Sequence, residues 1–314
     1  MEVTRGTGHL SSIDIAASEI KHLTHEEWQV LRALERCSAR HANIDVEALA
    51  RMSGQPRERV KFAIQRLNEK GLTRQKGTNQ VILTSGLDLL AMKHFVDNNE
   101  VAALGKIIAR GKESDVYEVI SESGELFALK MFRLGRTSFR SVRRKRREPL
   151  GEVHSWIARN YKAARGEFSA LKRLEGITRN VPRALAFNRH ALLLEELLGV
   201  RLAEKPPLRS PSELLRQILH AVRGAYMGAR IVNGDLSEYN VLTDGKKAWL
   251  IDWPQWVMAS GANADDLLKR DVSSLTRFFL RAYGVRAVEE KAYRYVLGEE
   301  ERLPIRRERS SASR

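Results

Sequence analysis

Apolar positions recur at helical spacing from Thr24 onward. In THEEWQVLRALERCSA, Trp28, Leu31 and Leu34 share one face, and Thr24 with Glu27 three residues later makes a capping box at the start. Asp45 caps a further predicted helix, VEALARM. After a turn at Ser53 and Gly54, Pro56 opens the long helix RERVKFAIQRLNEK, closed by Gly71. Val60, Ile64 and Leu67 face inward there, leaving Arg57, Lys61, Gln65 and Arg66 on a basic outer face. The period then drops to two: LTRQKGTNQVILTSGL reads as two short strands around a turn at Gly77, Thr78 and Asn79, with Lys76 at its tip. Helix, turn, helix and hairpin make a winged helix, which the helical stretch LDLLAMKHFVDNN completes near Glu100. Beyond it, KIIARGKESDVYEVI and SESGELFALKMF predict strand, tight turn, strand, turn, strand, the second turn at Ser123 and Gly124. Three helices are read further on. YKAARGEFSALKRLEG packs through Phe168, Leu171 and Leu174; ELLRQILHAVRGAYMGAR starts from Ser210, Pro211 and Glu213; DDLLKRDVSSLTRFFLRAYG packs through Leu268, Val272, Leu275 and Phe279.

Composition narrows the class. A chain of 314 residues is expected to form two compact units, and 43% hydrophobic with 30% charged residues is a globular balance. No apolar run approaches the roughly 20 residues that span a bilayer. The N-terminal residues lack an apolar stretch behind a basic start, so a cytoplasmic location without membrane association is expected. Cys37 stands alone, which excludes an internal disulfide and a zinc ribbon and makes it a buried apolar residue. Lysine and arginine number 54 against 39 acidic residues, a net charge of +15, which favours a polyanionic partner and nucleic acid first. Residues 133–147, RLGRTSFRSVRRKRR, hold eight basic residues and no acidic one. They read as a loop that meets a phosphate backbone, and Ser138 and Ser141 within it are candidate phosphoacceptors. For the winged helix, nucleic-acid contact and protein docking are both open readings.

The candidate chemistry lies in three places. Gly111 lets backbone approach an anion, and Lys112 and Ser114 beside it are placed to meet phosphate oxygens. Lys130 interrupts the apolar strand FALKMF, where an ammonium needs an anionic partner; it follows the turn glycine by 19 residues, the interval at which kinases place a nucleotide lysine. Glu167 is the helix glutamate expected to orient it. The densest segment is IVNGDLSEYNVLTDGKKAWLIDWPQ, with Asp235 and Asn240 five apart and Asp252 twelve further on at a strand end. In a kinase catalytic loop such an Asp orients or deprotonates the nucleophile, the Asn holds magnesium, and the strand-end Asp bridges magnesium to the phosphates.

From about residue 20 to 285 the chain resembles the RIO atypical kinases, in the subfamily that carries an N-terminal winged helix. The resemblance rests on GKESDVYEV, ALKMFRLGRTSFR, VPRALAFNRHALLLEEL, NGDLSEYNVL, IDWPQ and KRDVSSLTRFF, in family order. It implies an α+β chain of three parts: a winged helix over 1–99, a small bilobal kinase-like domain over 100–285, and a basic tail over 286–314 that ends in a disordered RLPIRRERSSASR. It implies further that Asp235 is the catalytic Asp, Lys130 the nucleotide lysine, Asn240 and Asp252 the Mg2+ ligands for ATP, and Glu195 to Leu197 the hinge that meets adenine. The family usually has His at Asn233, Asn at Ser237, Phe at Trp253 and Gly at Ala109; none of these departures removes a ligand. No APE-like string follows Asp252, so an extended peptide groove is not expected, and phosphate passes mainly to the protein itself or to water. The resemblance also implies an ATPase-type switch on maturing small ribosomal subunits, contacting rRNA through the winged helix and the 133–147 loop, with Asp252 able to accept phosphate. Two other classes are weighed beside it: a non-catalytic, nucleotide-gated binder of rRNA or protein, and a small-molecule kinase.

Overall fold

The computed structural model describes residues 11–40, 44–135 and 149–307. The chain packs as two compact units. One comprises the residues up to Lys162 with Phe187–Leu192; the other comprises Ala163–Ala186 and the residues from Leu193 on.

The first unit begins with a helix not expected from sequence, α1 (Ser12–Glu19), started by a capping box in which Ser11 and Asp14 satisfy each other's backbone. Then come α2 (His25–Ser38), α3 (Val46–Ser53), α4 (Arg57–Glu69), the antiparallel hairpin β1 (Thr73–Lys76) and β2 (Asn79–Ile82), and α5 (Thr84–Asp97). This is the winged helix read from the sequence. Both predicted caps form: Glu27 Oε2 accepts from Thr24 N at 2.8 Å, and Asp45 Oδ1 from Ala48 N at 2.7 Å. Leu31, Leu34, Leu49, Val60, Leu67, Ile82 and Phe95 are buried in its core. The outer face of α4 differs from expectation, because carboxylates offset its cations. Arg57 pairs with Glu47, Lys61 with Glu58 and Arg66 with Glu27, and an exposed Phe62 stands among them.

The same unit continues into β3 (Ala103–Arg110), β4 (Ser114–Ile120) and β5 (Leu126–Phe132), an antiparallel meander. α6 (Pro149–Leu174) starts well before the predicted Tyr161, and the chain passes from one unit to the other at Lys162 within it. A hairpin of β6 (Ala184–Asn188) and β7 (Ala191–Glu195) completes a five-stranded sheet in the order β3-β4-β5-β7-β6, and its tip belongs to the first unit. Part-buried polar contacts join the winged helix to these strands. Glu35 on α2 accepts from Arg189 Nε at 2.6 Å, Arg189 Nη2 at 2.8 Å and Tyr161 Oη at 2.5 Å. The first packing unit thus includes both the winged helix and the strands beyond Glu100 that these side chains clasp.

The second unit holds β8 (Val200–Arg201), α7 (Pro211–Arg223), β9 (Ile231–Val232), β10 (Val241–Thr243), β11 (Ala248–Leu250), β12 (Val257–Met258) and α8 (Ala264–Tyr283). β10 lies between β8 and β11, and β9 pairs with β12. Ser210 caps α7 with Pro211 at its first position, as read from the sequence. The expected tail from 286 is corrected: α9 (Glu289–Leu297) buries Ala292 and Val296 and packs on α7 and α8. Beyond it, β14 (Ile305–Arg307) pairs with β13 (Val285–Ala287). The apolar spacing of Ala292, Tyr293, Tyr295 and Val296 outweighs the basic composition around it. No helix among the described residues is long and apolar enough to cross a membrane.

Candidate functional site

The site residues of the first unit lie in the turn between β3 and β4, at the start of β4, and on β5. Gly111 N donates to Ser114 O at 2.8 Å and closes the turn between β3 and β4 tightly; a Cβ at Gly111 would stand 3.1 Å from that same oxygen. Lys112 is exposed in the turn and Ser114 begins β4. Lys130 sits on β5 opposite Val116, is 6% exposed, and has its Nζ 5.0 Å from the centroid of the Phe132 ring. Burial to that depth holds its ammonium to one direction instead of letting it sample solvent.

In the second unit the loop after β9 is built around Asp235. Asn233, itself buried, bridges two parts of the site: its Oδ1 accepts from Asp235 N at 3.1 Å and its Nδ2 donates to Asp252 O at 3.0 Å. An asparagine where the resembled family usually has His thus keeps the loop at Asp235 tied to the strand end. Asn240 Nδ2 donates to Asp235 O at 2.9 Å, which leaves its side-chain oxygen as the atom for a cation, and Ile251 N donates to Asn240 O at 2.9 Å. Asp252 stands at φ 68°, in the left-handed region that costs a non-glycine residue on the order of 1–3 kcal/mol. Such strain is held here by the surrounding bonds and aims a carboxylate that an extended strand would turn elsewhere. The structure therefore brings together all three residues singled out by spacing.

Asp271 on α8 completes the loop, and sequence reasoning assigned it no chemistry. It accepts from Gly234 N at 2.8 Å and from Leu236 N at 3.0 Å, while Arg270 donates to Gly234 O. Its signal was a carboxylate on the buried stripe of Leu268, Val272 and Leu275, a position that a merely structural surface Asp does not take. Burial pushes its carboxyl up to about 6, against the pull of the two backbone donors. Between its unfolded value near 4 and that value the native state holds a proton the unfolded chain has lost. Stability is thus fully present below about pH 4 and declines as pH rises to 6, by an amount on the order of 3 kcal/mol. Denaturation curves at pH 4.5 and pH 7 are expected to show this component in the wild type and to lose it in Asp271→Asn. Turnover in that variant is expected to fall about tenfold, because one charged acceptor for the loop becomes a neutral one.

Glu167 on α6 is 1% exposed, and its helix is fixed to the segment following Asp252. A Cβ at Gly166 would stand 3.0 Å from Pro254 O, Trp256 Nε1 donates to Gly166 O at 2.9 Å, and Arg173 lies over the Trp256 ring. Trp253, which departs from the resembled Phe, is buried and donates its Nε1 to Leu250 O at 3.2 Å, so the indole is satisfied. Glu195 ends β7 with its Oε2 accepting from Arg183 N at 3.2 Å, and Leu197 follows half-buried. At Gly199 any side chain would press on the Thr243 backbone, 3.0 Å away, so the segment after the strand crosses β10 closely. Ser138 and Ser141 lie outside the described residues.

Oxygen donors of this kind suit Mg2+, which takes one or two protein ligands and completes its shell with water and phosphate oxygens. Among the described residues no group of three or more His, Cys, Asp or Glu forms a metal cage of its own. Asn240 and Asp252 therefore fit a cation that arrives with a nucleotide.

Comparison with known proteins gives a consistent result. Residues 115–293 match the RIO domain family, and residues 20–98 match the family described as Rio2, N-terminal. The chain is 31% identical over 258 residues to the RIO-type serine/threonine-protein kinase Rio2 of Methanocaldococcus jannaschii, covering 80% of this chain and 94% of that protein. It is 29% identical to serine/threonine-protein kinase rio2 of Dictyostelium discoideum over 84% of this chain but 51% of the relative, so it spans about half the length of that protein. A crystal structure of the Rio2 kinase–ADP/Mg2+–phosphoaspartate complex from Chaetomium thermophilum superposes with a TM-score of 0.73 at 27% identity, covering 88% of both chains.

Proposed function

The chain belongs to the RIO family of serine/threonine-protein kinases, with the N-terminal module of its Rio2 branch, and from that membership we propose that it binds ATP with Mg2+ and works as an autophosphorylating ATPase switch in small-ribosomal-subunit maturation. The observation that carries the reading is the convergence of Asp235, Asn240 and Asp252 through Asn233 and Asp271. Bound Mg2+ would neutralise phosphate charge between the Asn240 and Asp252 oxygens. Lys130 and the Gly111–Ser114 turn hold the phosphates, Glu167 orients Lys130, and the segment from Glu195 to Leu197 receives the adenine. Asp235 accepts the proton of an attacking hydroxyl or positions an attacking carboxylate. When the acceptor is Asp252, its carboxylate oxygen bonds to the γ-phosphorus as the bond to the departing ADP oxygen breaks. Water then cleaves the acyl phosphate to free the carboxylate and inorganic phosphate. The phosphoaspartate in the Chaetomium relative supports this route. The net charge of +15 and the basic run after Arg133 support an rRNA partner.

The test is turnover of labelled ATP with Mg2+. Free phosphate and an acid-labile label on the protein are expected in the wild type, and the label is expected to vanish in Asp252→Asn. If ATP binds but neither product forms, even with small-subunit particles present, a nucleotide-gated binding module is the correct reading instead.

A further inference from the structure

Arg133 is the first of the eight basic residues in the 133–147 run, yet it is 4% exposed and does not belong to a solvent-facing polyanion surface. Its guanidinium makes a bidentate pair with Asp88 on α5 of the winged helix, Nη1 to Oδ1 at 2.7 Å and Nη2 to Oδ2 at 2.8 Å. Asp88 is 0% exposed, and its Oδ1 also meets His190 Nε2 at 2.8 Å. On its other side Arg133 reaches the nucleotide end of the sheet. Its backbone N donates to Glu113 O at 2.5 Å, inside the Gly111–Ser114 turn, and its Nε lies 3.6 Å from Asp115 Oδ2 on β4. Lys130 is three residues earlier on the same chain, and Asn160 clasps Leu134 immediately after, accepting from its N at 2.7 Å and donating to its O at 3.3 Å. One side chain thus connects the buried carboxylate of the winged helix to the turn read as the phosphate cradle.

A simple packing contact between helix and sheet does not need a desolvated ion pair, since apolar residues of similar volume stabilise as well or better. What a bidentate pair adds is a fixed geometry. Although burial opposes it, the Arg133 guanidinium together with His190 holds the Asp88 carboxyl well below the usual carboxylate range, so the pair stays charged at any physiological pH. His190 is stacked against Tyr161 and edge-on to Trp156, which fixes the ring that meets Asp88.

We propose that Asp88 and Arg133 are positioning residues for nucleotide binding, through which the winged helix sets the conformation of the Gly111–Ser114 turn. The inference rests on the nucleotide site proposed above. Linkage makes it reciprocal: a ligand that shifts α5 changes nucleotide affinity, and nucleotide changes the affinity of the winged helix for that ligand by the same factor.

The full chain tests it. Wild type is first titrated with ADP and Mg2+, then compared with Arg133→Met, Arg133→Lys, and the double variant Asp88→Leu/Arg133→Met, in which the Asp88 carboxylate is not left without Arg133. Arg133→Met is expected to raise the Kd for ADP and the KM for ATP about tenfold, with the loss falling on KM more than on kcat. Arg133→Lys is expected to recover part of it. The double variant is expected to regain thermal stability while keeping the weakened nucleotide affinity, which a merely structural pair does not do. Wild-type Kd and KM in the restabilised double variant would overturn the positioning role while leaving the nucleotide site intact. A wild type that binds no ADP overturns the site itself, and the positioning role with it.

Discussion

Asp235→Asn is expected to lower the rate of phosphoryl transfer by about 10²- to 10⁴-fold, the range for removing a positioned acid–base group. ADP affinity is expected to stay within a few-fold of wild type. The second expectation follows from how the loop is held. Asp235 contributes its backbone N to Asn233 and its backbone O to Asn240, so the substitution leaves both anchors in place. Gly234 and Leu236 on either side remain fixed by Asp271. The variant therefore removes a carboxylate from an otherwise intact loop, and both the free-phosphate and the acid-labile products should slow together. Single-turnover kinetics at saturating ATP, beside ADP titrations, separate the two effects. A rate within tenfold of wild type would remove Asp235 from the chemistry and shift the role of nucleophile activation to another group.

The loop was legible in the sequence because its parts are close along the chain. Asp235, Asn240 and Asp252 lie within a short strand-loop-strand segment, and that spacing translates directly into geometry. Lys130 was legible for a different reason, as a charge out of place in an apolar strand. What the sequence hid are contacts between distant residues whose types are individually unremarkable on a protein surface. Glu35 and Arg189 are separated by 154 positions, and Asp88 and His190 by 102. Arg133 was hidden more deeply, since composition assigns it to the basic run that follows it, whereas it directly follows β5 and its side chain pairs with Asp88. In the same way, basic composition from 286 onward masked the short apolar stripe of α9. The outer face of α4 illustrates the reverse error: spacing selected its cations correctly, but the carboxylates that offset them come partly from α2 and α3.

Glu35→Ala is expected to destabilise the protein by about 3 kcal/mol, the low end of the cost of breaking a buried ion pair by deleting one partner, because the pair keeps some exposure. Glu35 meets two groups at once, the Arg189 guanidinium and the Tyr161 hydroxyl. Arg189 cannot escape by losing its proton, and the pairing with Glu35 outweighs burial and raises its already high value further. The Tyr161 hydroxyl is held protonated by burial and by the Glu35 charge, so it acts as a donor only. Its turn is also conformationally committed: Arg189 sits at φ 55° between β6 and β7, and Glu35 holds it there. Urea unfolding of Glu35→Ala, Arg189→Met and the double variant, followed as a cycle, measures the coupling. A large loss in each single variant with partial recovery in the double variant is the expected pattern, because the double variant strands no charge. Additive losses across the cycle would show instead that Glu35 and Arg189 stabilise the first unit through separate contacts and that their pairing does not join the winged helix to the strands.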